Sequence, residues 1–156
     1  MSLLKNDTVR VYKMHDAAKS PVRAHATDAG MDFFFCPEQN IVAKRIEPGQ
    51  SVLLQTGIKM EVPDNCMLQI MNKSGIASKK HLIAGACVVD QGYNGEIFVN
   101  LHNIGEKVQF VEPGQKIAQG VFVRIEKPKL FFIEEDSIYE HETSRGTGAL
   151  GSTGDR

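Results

Sequence analysis

The sequence holds 156 residues, enough for one domain that buries roughly two-thirds of its unfolded surface without a disulfide or metal staple. A net charge of −1 leaves no basic stripe for duplex nucleic acid, though a few local cations suffice for a small anion. Cys36, Cys66 and Cys87 are odd in number and form no C-x-x-C pair, which argues against a disulfide framework or a zinc site and for a reducing, cytoplasmic setting.

In chain order, Met1 to Met14 is mixed and polar, without the apolar core of a signal peptide, and no apolar run exceeds about five residues, too short to span a membrane. Strands are predicted over Val9 to Met14, Met31 to Cys36, Val52 to Val62 and Cys66 to Met71. Further strands follow over Ile83 to Val89, Ile97 to Leu101, Ile117 to Ile125 and Leu130 to Ile133. Helical periodicity is weak, and the best helix is one short turn after Ser74. Glu47-Pro48-Gly49-Gln50 recurs as Glu112-Pro113-Gly114-Gln115, each a predicted type II turn with Gly at the positive-φ position and a long strand behind it. Short strands punctuated by Pro and Gly predict an all-β sandwich, barrel or jelly roll. Residues 1–136 read as the β domain, and 137–156 as a polar, then glycine-rich, C-terminal arm.

Five segments carry groups suited to chemistry, and each also has a plain structural reading. Asp28-Ala29-Gly30-Met31-Asp32 enters a strand; its carboxylates serve either the turn or a Mg²⁺ ion held through water. Lys73-Ser74-Gly75 opens the short helix, where Ser74 is either an N-cap or a hydroxyl beside a bound phosphate. Asp90-Gln91-Gly92-Tyr93-Asn94-Gly95-Glu96 has hairpin-tip composition, yet a tip gains little from the Tyr93 ring. That ring suits one wall of a sugar pocket, and Asp90 suits a base acting on water. Gly114 to Gln119 is a turn into a strand. The arm shows G-x-G-x-x-G at Gly146, Gly148 and Gly151, but five residues after Gly151 leave no room for a Rossmann unit. The glycines there suit a phosphate cradle of backbone N–H groups instead, with Arg145, Ser152 and Thr153.

The order and spacing of these segments resemble the five motifs of trimeric dUTP diphosphatases. They are Asp28-Ala29-Gly30-x-Asp32; Lys73-Ser74-Gly75-Ile76-Ala77; Gly85 through Val89-Asp90-x-Gly92-Tyr93-x-Gly95-Glu96; Gly114-x-x-Ile117-Ala118-Gln119; and Arg145-Gly146 through Gly151-Ser152-Thr153-Gly154. The resemblance implies a jelly-roll β-sandwich or distorted barrel with one short helix and an extended arm. It further implies a homotrimer with shared active sites, and conversion of dUTP and water to dUMP and pyrophosphate. By position, Asp90 resembles the residue that activates the attacking water, and Tyr93 the ring against deoxyribose. Ala86, Cys87 and Val88 resemble the hairpin that reads uracil through its backbone. Ser74, Gly75, Gln119, Arg145, Gly151, Ser152 and Thr153 match phosphate- and substrate-binding positions, and Asp32 the carboxylate of the Mg²⁺ water shell.

Three positions depart from that pattern. Lys73 stands where the family carries Arg, so a bidentate fork becomes a point charge. Leu150 stands where a Phe stacks on uracil, and Ala149 replaces a Gly. Two rivals share the fold. A dCTP deaminase would need its Glu where Asn100 stands, and a regulatory module would bind nucleotide without hydrolysis.

Overall fold

The computed structural model describes residues 8–134, together with Ile138 and Gly146. The chain divides into two compact units, Met1–Glu126 and Lys127–Arg156, and the strands and the helix lie in the first. They are β1 (Val11–Lys13), β2 (Met31–Phe34), β3 (Lys44–Ile46), β4 (Ser51–Gln55), β5 (Ile58–Met60), β6 (Cys66–Met71), α1 (Ser74–Lys80), β7 (Leu82–Ala84), β8 (Val88–Val89), β9 (Phe98–Asn103), β10 (Gln109–Val111) and β11 (Lys116–Arg124).

The strands form two larger antiparallel sheets, β2-β11-β6-β8 and β4-β9-β7, and two ribbons, β1-β5 and β10-β3. Period-two alternation decides which face is buried. In β9, Val99, Leu101 and Asn103 point inward while Phe98, Asn100 and His102 do not. Phe33, Leu68, Ile70 and Ile117 of one sheet join Leu54, Leu82, Val99 and Leu101 of the other in a single core cluster. Each fully buried side chain of this size contributes about 1.5–3 kcal/mol. The result is a jelly-roll sandwich rather than a closed barrel; the strand pattern left sandwich, barrel and jelly roll open, and the family resemblance implied the jelly roll.

Several boundaries differ from expectation, each for a local reason. The strand expected from Val52 to Val62 breaks at Gly57, whose φ of +66° takes the backbone out of the ladder and separates β4 from β5. The strand expected from Ile83 to Val89 opens at residues 85–87, between β7 and β8. Leu130 to Ile133 forms no strand; ladder pairing needs a partner, and among the described residues no strand pairs with these exposed ones. β3 and β10 went unpredicted because they are short and charged or mixed, and they pair with each other.

The recurrent turn holds in detail. Gln50 donates to the Glu47 carbonyl and Gln115 to the Glu112 carbonyl, both at 3.0 Å. Gly49 and Gly114 take φ of +74° and +78°. Each Gln side chain also accepts from the backbone N–H of its Glu. The strands that follow differ, however: β4 is cut short before Gly57, and β11 runs on to Arg124 in the other sheet. Among the described residues no helix is long and apolar enough to cross a membrane.

Candidate active site

Three of the sequence motifs meet at one corner of the four-stranded sheet. Cross-strand register sets Asp32 of β2 opposite Gln119 of β11, and Gln119 opposite Met71 at the end of β6. The chain leaves β6 through Asn72 and Lys73. Lys73 Nζ lies 2.7 Å from Asp32 Oδ1, and Lys116 Nζ lies 2.6 Å from Oδ2. Asp32 is only 5% exposed. Burial by itself would raise the Asp32 pKa, but the two ammonium hydrogen bonds outweigh it and hold the carboxyl below its ordinary range. Gln119 Nε2 donates to the Asn72 carbonyl at 3.0 Å. Gly30 makes room for that amide, since a Cβ there would fall 2.2 Å from Gln119 Oε1.

The helix starts one residue earlier than a Ser74 cap would require. Lys73 occupies the N-cap position without a side-chain cap bond, and Ser74 is the first helical residue. Helix geometry leaves the Ser74 and Gly75 N–H groups without intrahelical acceptors. A Cβ at Gly75 would meet nothing within 4 Å, so the chain's own packing does not demand glycine there. Asp28, by contrast, serves its turn: Oδ2 accepts from the His25 N–H at 2.9 Å.

The other predicted residues gather around the opening between β7 and β8. Ala86, Cys87, Val88, Tyr93, Phe98 and Asn100 line an apolar cleft of about 210 Å³. Ligand clefts for drug-sized molecules run about 300–1,000 Å³, so this one has room for a base rather than a whole nucleotide. The Cys87 carbonyl accepts from the Ile70 N–H at 2.7 Å, which zips the hairpin onto β6. The Tyr93 hydroxyl donates to the Glu96 carbonyl at 2.8 Å, and the ring lies against Gly95, where a Cβ would fall 2.4 Å from the hydroxyl oxygen. Asp90 is exposed at the tip, beside Gln91, which donates to Asp64 at 2.7 Å.

Asn100 cannot substitute for an acidic proton carrier. Its Nδ2 donates to Ser51 Oγ at 2.8 Å and to the Val52 carbonyl at 3.2 Å. A carbonyl only accepts, so the amide oxygen must face His102, whose Nε2 lies 2.7 Å away and donates.

The structure thus brings Asp32, Lys73, Ser74, Gly75 and Gln119 to one corner, and Ala86, Cys87, Val88 and Tyr93 to one cleft. Among the described residues no hydrogen bond or ion pair joins Asp90 or Tyr93 to the Asp32 corner. Arg145, Leu150, Gly151, Ser152 and Thr153 lie outside the described residues. Two residues escaped the sequence reading. Lys116 closes the second half of the Asp32 ion pair, and only its place inside the Gly114 to Gln119 motif hinted at this. Asn72 bonds to both groups, accepting from Gln119 through its carbonyl and from the Ala84 N–H through Oδ1 at 2.6 Å. Nothing in its sequence context marks it.

No three His, Cys, Asp or Glu side chains among the described residues form a metal cage. Mg²⁺ that travels with a polyphosphate needs only one or two protein carboxylates and keeps most of its water shell.

Comparison with known proteins identifies the family and the fold. The sequence model of the dUTPase family matches residues 16–154. The chain is 41% identical over 149 residues to a deoxyuridine 5'-triphosphate nucleotidohydrolase of Clostridium tetani, covering 94% of this chain and 97% of the relative. Its fold superposes on the dUTPase of Staphylococcus bacteriophage 80alpha, solved with dUPNHPP, with a TM-score of 0.80 at 26% identity, covering 95% and 99% of the two chains. A mutant dUTPase from phage phi11 of S. aureus, described as revealing the coordination of a structural Mg(II) ion, gives 0.75 at 25% identity, covering 86% and 100%. The chain belongs to the dUTPase family.

Proposed function

We propose that this chain hydrolyses dUTP to dUMP and pyrophosphate, with Asp90 as general base. The observation that carries the reading is the pairing of two unlike half-sites in a chain of this family. One is a cationic corner around Asp32, and the other is an apolar cleft of base size walled by Tyr93. Water attacks the α-phosphorus in line, the bond from that phosphorus to the bridging oxygen breaks, and pyrophosphate departs. The Asp90 carboxylate takes the proton from the attacking water. Uracil enters the cleft at Ala86, Cys87 and Val88, where backbone groups match its edge. Cytosine reverses that donor and acceptor pattern and would leave buried groups unpaired. Tyr93 stacks against the deoxyribose and leaves no space for a 2′-hydroxyl.

At the corner, Lys73, Ser74, Gly75 and Gln119 hold the phosphates through an ammonium, a hydroxyl, free helix N–H groups and an amide. The arm, residues 137–156, supplies Arg145, Gly151, Ser152 and Thr153 to the same anion and Leu150 as a lid over the base. Mg²⁺, bound to the triphosphate, would neutralise part of its charge. Asp32 is the carboxylate placed to hold its water shell. The chain acts as a homotrimer whose shared active sites draw on all three subunits, as its resemblance to the trimeric family implies. Exposed Leu53, Val88 and Phe110 are apolar surface for such contacts.

Pyrophosphate release from dUTP with Mg²⁺, against dCTP, dTTP and UTP, tests the activity. Ammonia release from dCTP would instead favour a deaminase, although the engaged Asn100 amide speaks against one. Asp90→Asn should bind dUTP while turning over about 10²–10⁴-fold more slowly. Retention of most of the activity would remove Asp90 from the mechanism.

A further inference from the structure

We propose that Lys116 is a positioning residue: it is the standing partner of Asp32 and so frees Lys73 to engage the triphosphate. This rests on the dUTP-hydrolysing reading above and names a part of that site which its motifs do not assign.

The register of β11 decides which face Lys116 takes. Pairing with β2 steps from Ala118 opposite Phe33 to Lys116 opposite Phe34, so β11 carries one extra residue, Ile117, at that point. In an unbroken ladder Ile117 would stand opposite Phe34, and Lys116 would fall on the other face of the sheet. The bulge changes both outcomes. Ile117 stays in the core at 1% exposure, and Lys116 arrives on the face that holds Asp32. Just before it the chain is pinned on both sides. Gly114 N–H donates to the Phe35 carbonyl at 2.6 Å, and Phe35 N–H donates to the Gln115 carbonyl at 2.9 Å. Lys116 therefore reaches Asp32 from a fixed stem.

Lys73 reaches the same carboxylate from the link between β6 and α1, beside the free N–H groups of the helix start. One buried carboxylate thus holds two ammonium groups, which leaves the corner with a surplus positive charge. Were Lys73 the sole partner, turning it to a phosphate would leave this nearly buried carboxylate with no cation of the protein beside it, which is disfavoured. With Lys116 in place the carboxylate keeps a cation at 2.6 Å while Lys73 moves.

A double-mutant cycle on the full-length protein separates this from a merely structural ion pair. Lys73→Met and Lys116→Met should each raise KM for dUTP about tenfold, the worth of one charge-assisted hydrogen bond, with kcat little changed. Because Lys116 acts through Lys73, the double variant, made as Lys73→Met with Lys116→Gln so that Asp32 keeps a donor, should be no worse than the weaker of the two singles. Lys116→Arg should restore the wild-type KM. An unmoved KM in Lys116→Met, or a multiplicative, roughly hundredfold loss in the double variant, would overturn the proposal. Should Lys116→Met fail to fold, Lys116→Gln removes the charge while keeping a donor for Asp32, and the same outcomes apply. If the wild-type protein releases no pyrophosphate from dUTP, the functional reading fails by itself. Binding of inorganic tripolyphosphate then puts the same question to Lys116. About tenfold weaker binding by Lys116→Met supports its role, and equal binding refutes it.

Discussion

Glu96 should be one of the costliest positions in the chain to truncate, although no chemical step is assigned to it. The residue is 8% exposed, and its Oε1 accepts from the Thr56 N–H at 3.0 Å and the Gly57 N–H at 2.7 Å. Those donors lie where Gly57, at φ +66°, separates β4 from β5, and the carboxylate supplies the acceptor that the ladder does not. Glu96→Ala leaves two buried donors bare at about 1–3 kcal/mol each. The vacated space admits a water that recovers part of that, so a net loss of about 2–4 kcal/mol is expected. Glu96→Gln keeps an oxygen acceptor but exchanges charged for neutral hydrogen bonds, for a loss of about 1–2 kcal/mol. Urea unfolding at pH 7 and fixed protein concentration reads both; for a chain of this length each kcal/mol moves Tm by about 2–4 °C. Turnover per folded molecule should change little. The reasoning is refuted if Glu96→Ala unfolds within about 0.5 kcal/mol of wild type, the range of ordinary surface substitutions, or if Glu96→Gln is the more damaging variant.

Asp32 makes the fold acid-sensitive. Its folded pKa lies below the ordinary value of 3.8, so its stabilisation is present above that value and lost as pH falls through the folded one. Asp32→Asn should be less stable than wild type at pH 7, by about 2 kcal/mol because both lysines reach solvent, and the gap should close in thermal melts toward pH 2.5. Glu61→Gln, at an exposed pair with Arg10, serves as the control and should leave the acid profile nearly unchanged. Gly95→Ala should displace the Tyr93 ring, since its Cβ would fall 2.5 Å from Tyr93 Cζ, and weaken discrimination against UTP; an unaltered dUTP to UTP ratio of kcat/KM would contradict the ring's role as the sugar wall. Leu150→Phe should lower KM for dUTP by roughly fivefold, the worth of about 1 kcal/mol of ring stacking, and an equal or higher KM would remove Leu150 from the lid.

How much of this was legible in the sequence depends on the range over which each feature is decided. The paired Pro-Gly turns were readable because a positive φ is a local demand that glycine meets, and both Gly49 and Gly114 take it. β6 was readable end to end from its apolar run. β4 and β5 read as one strand because apolar residues continue across Gly57, and only the distant Glu96 carboxylate explains how the chain can leave its ladder there. Lys116 was hidden for a similar reason. Whether a side chain faces one side of a sheet or the other is fixed by pairing, and a one-residue bulge reverses it without leaving a mark in composition. Ser74 showed the limit of cap rules: a Ser before a short helix looked like a cap, yet the cap fell on Lys73, which offers no acceptor.

The same sheet also explains why two half-sites of opposite character belong to one fold. Cations and an apolar cleft that shared one lining would conflict, because an apolar, low-dielectric lining penalises charge. Here they stand apart along the order β2-β11-β6-β8: the ionic corner spans β2, β11 and the end of β6, and the cleft opens where β8 meets the far edge. Asn72 bonds toward both, since its carbonyl accepts from Gln119 and its side chain accepts from Ala84, the last residue of β7 before the hairpin opens. A carbonyl and an amide oxygen on one residue fix the corner and the hairpin root to the same backbone segment. Lys73 is the next residue along that segment. The position of the ammonium and the root of the hairpin between β7 and β8 are therefore set by one short stretch of chain.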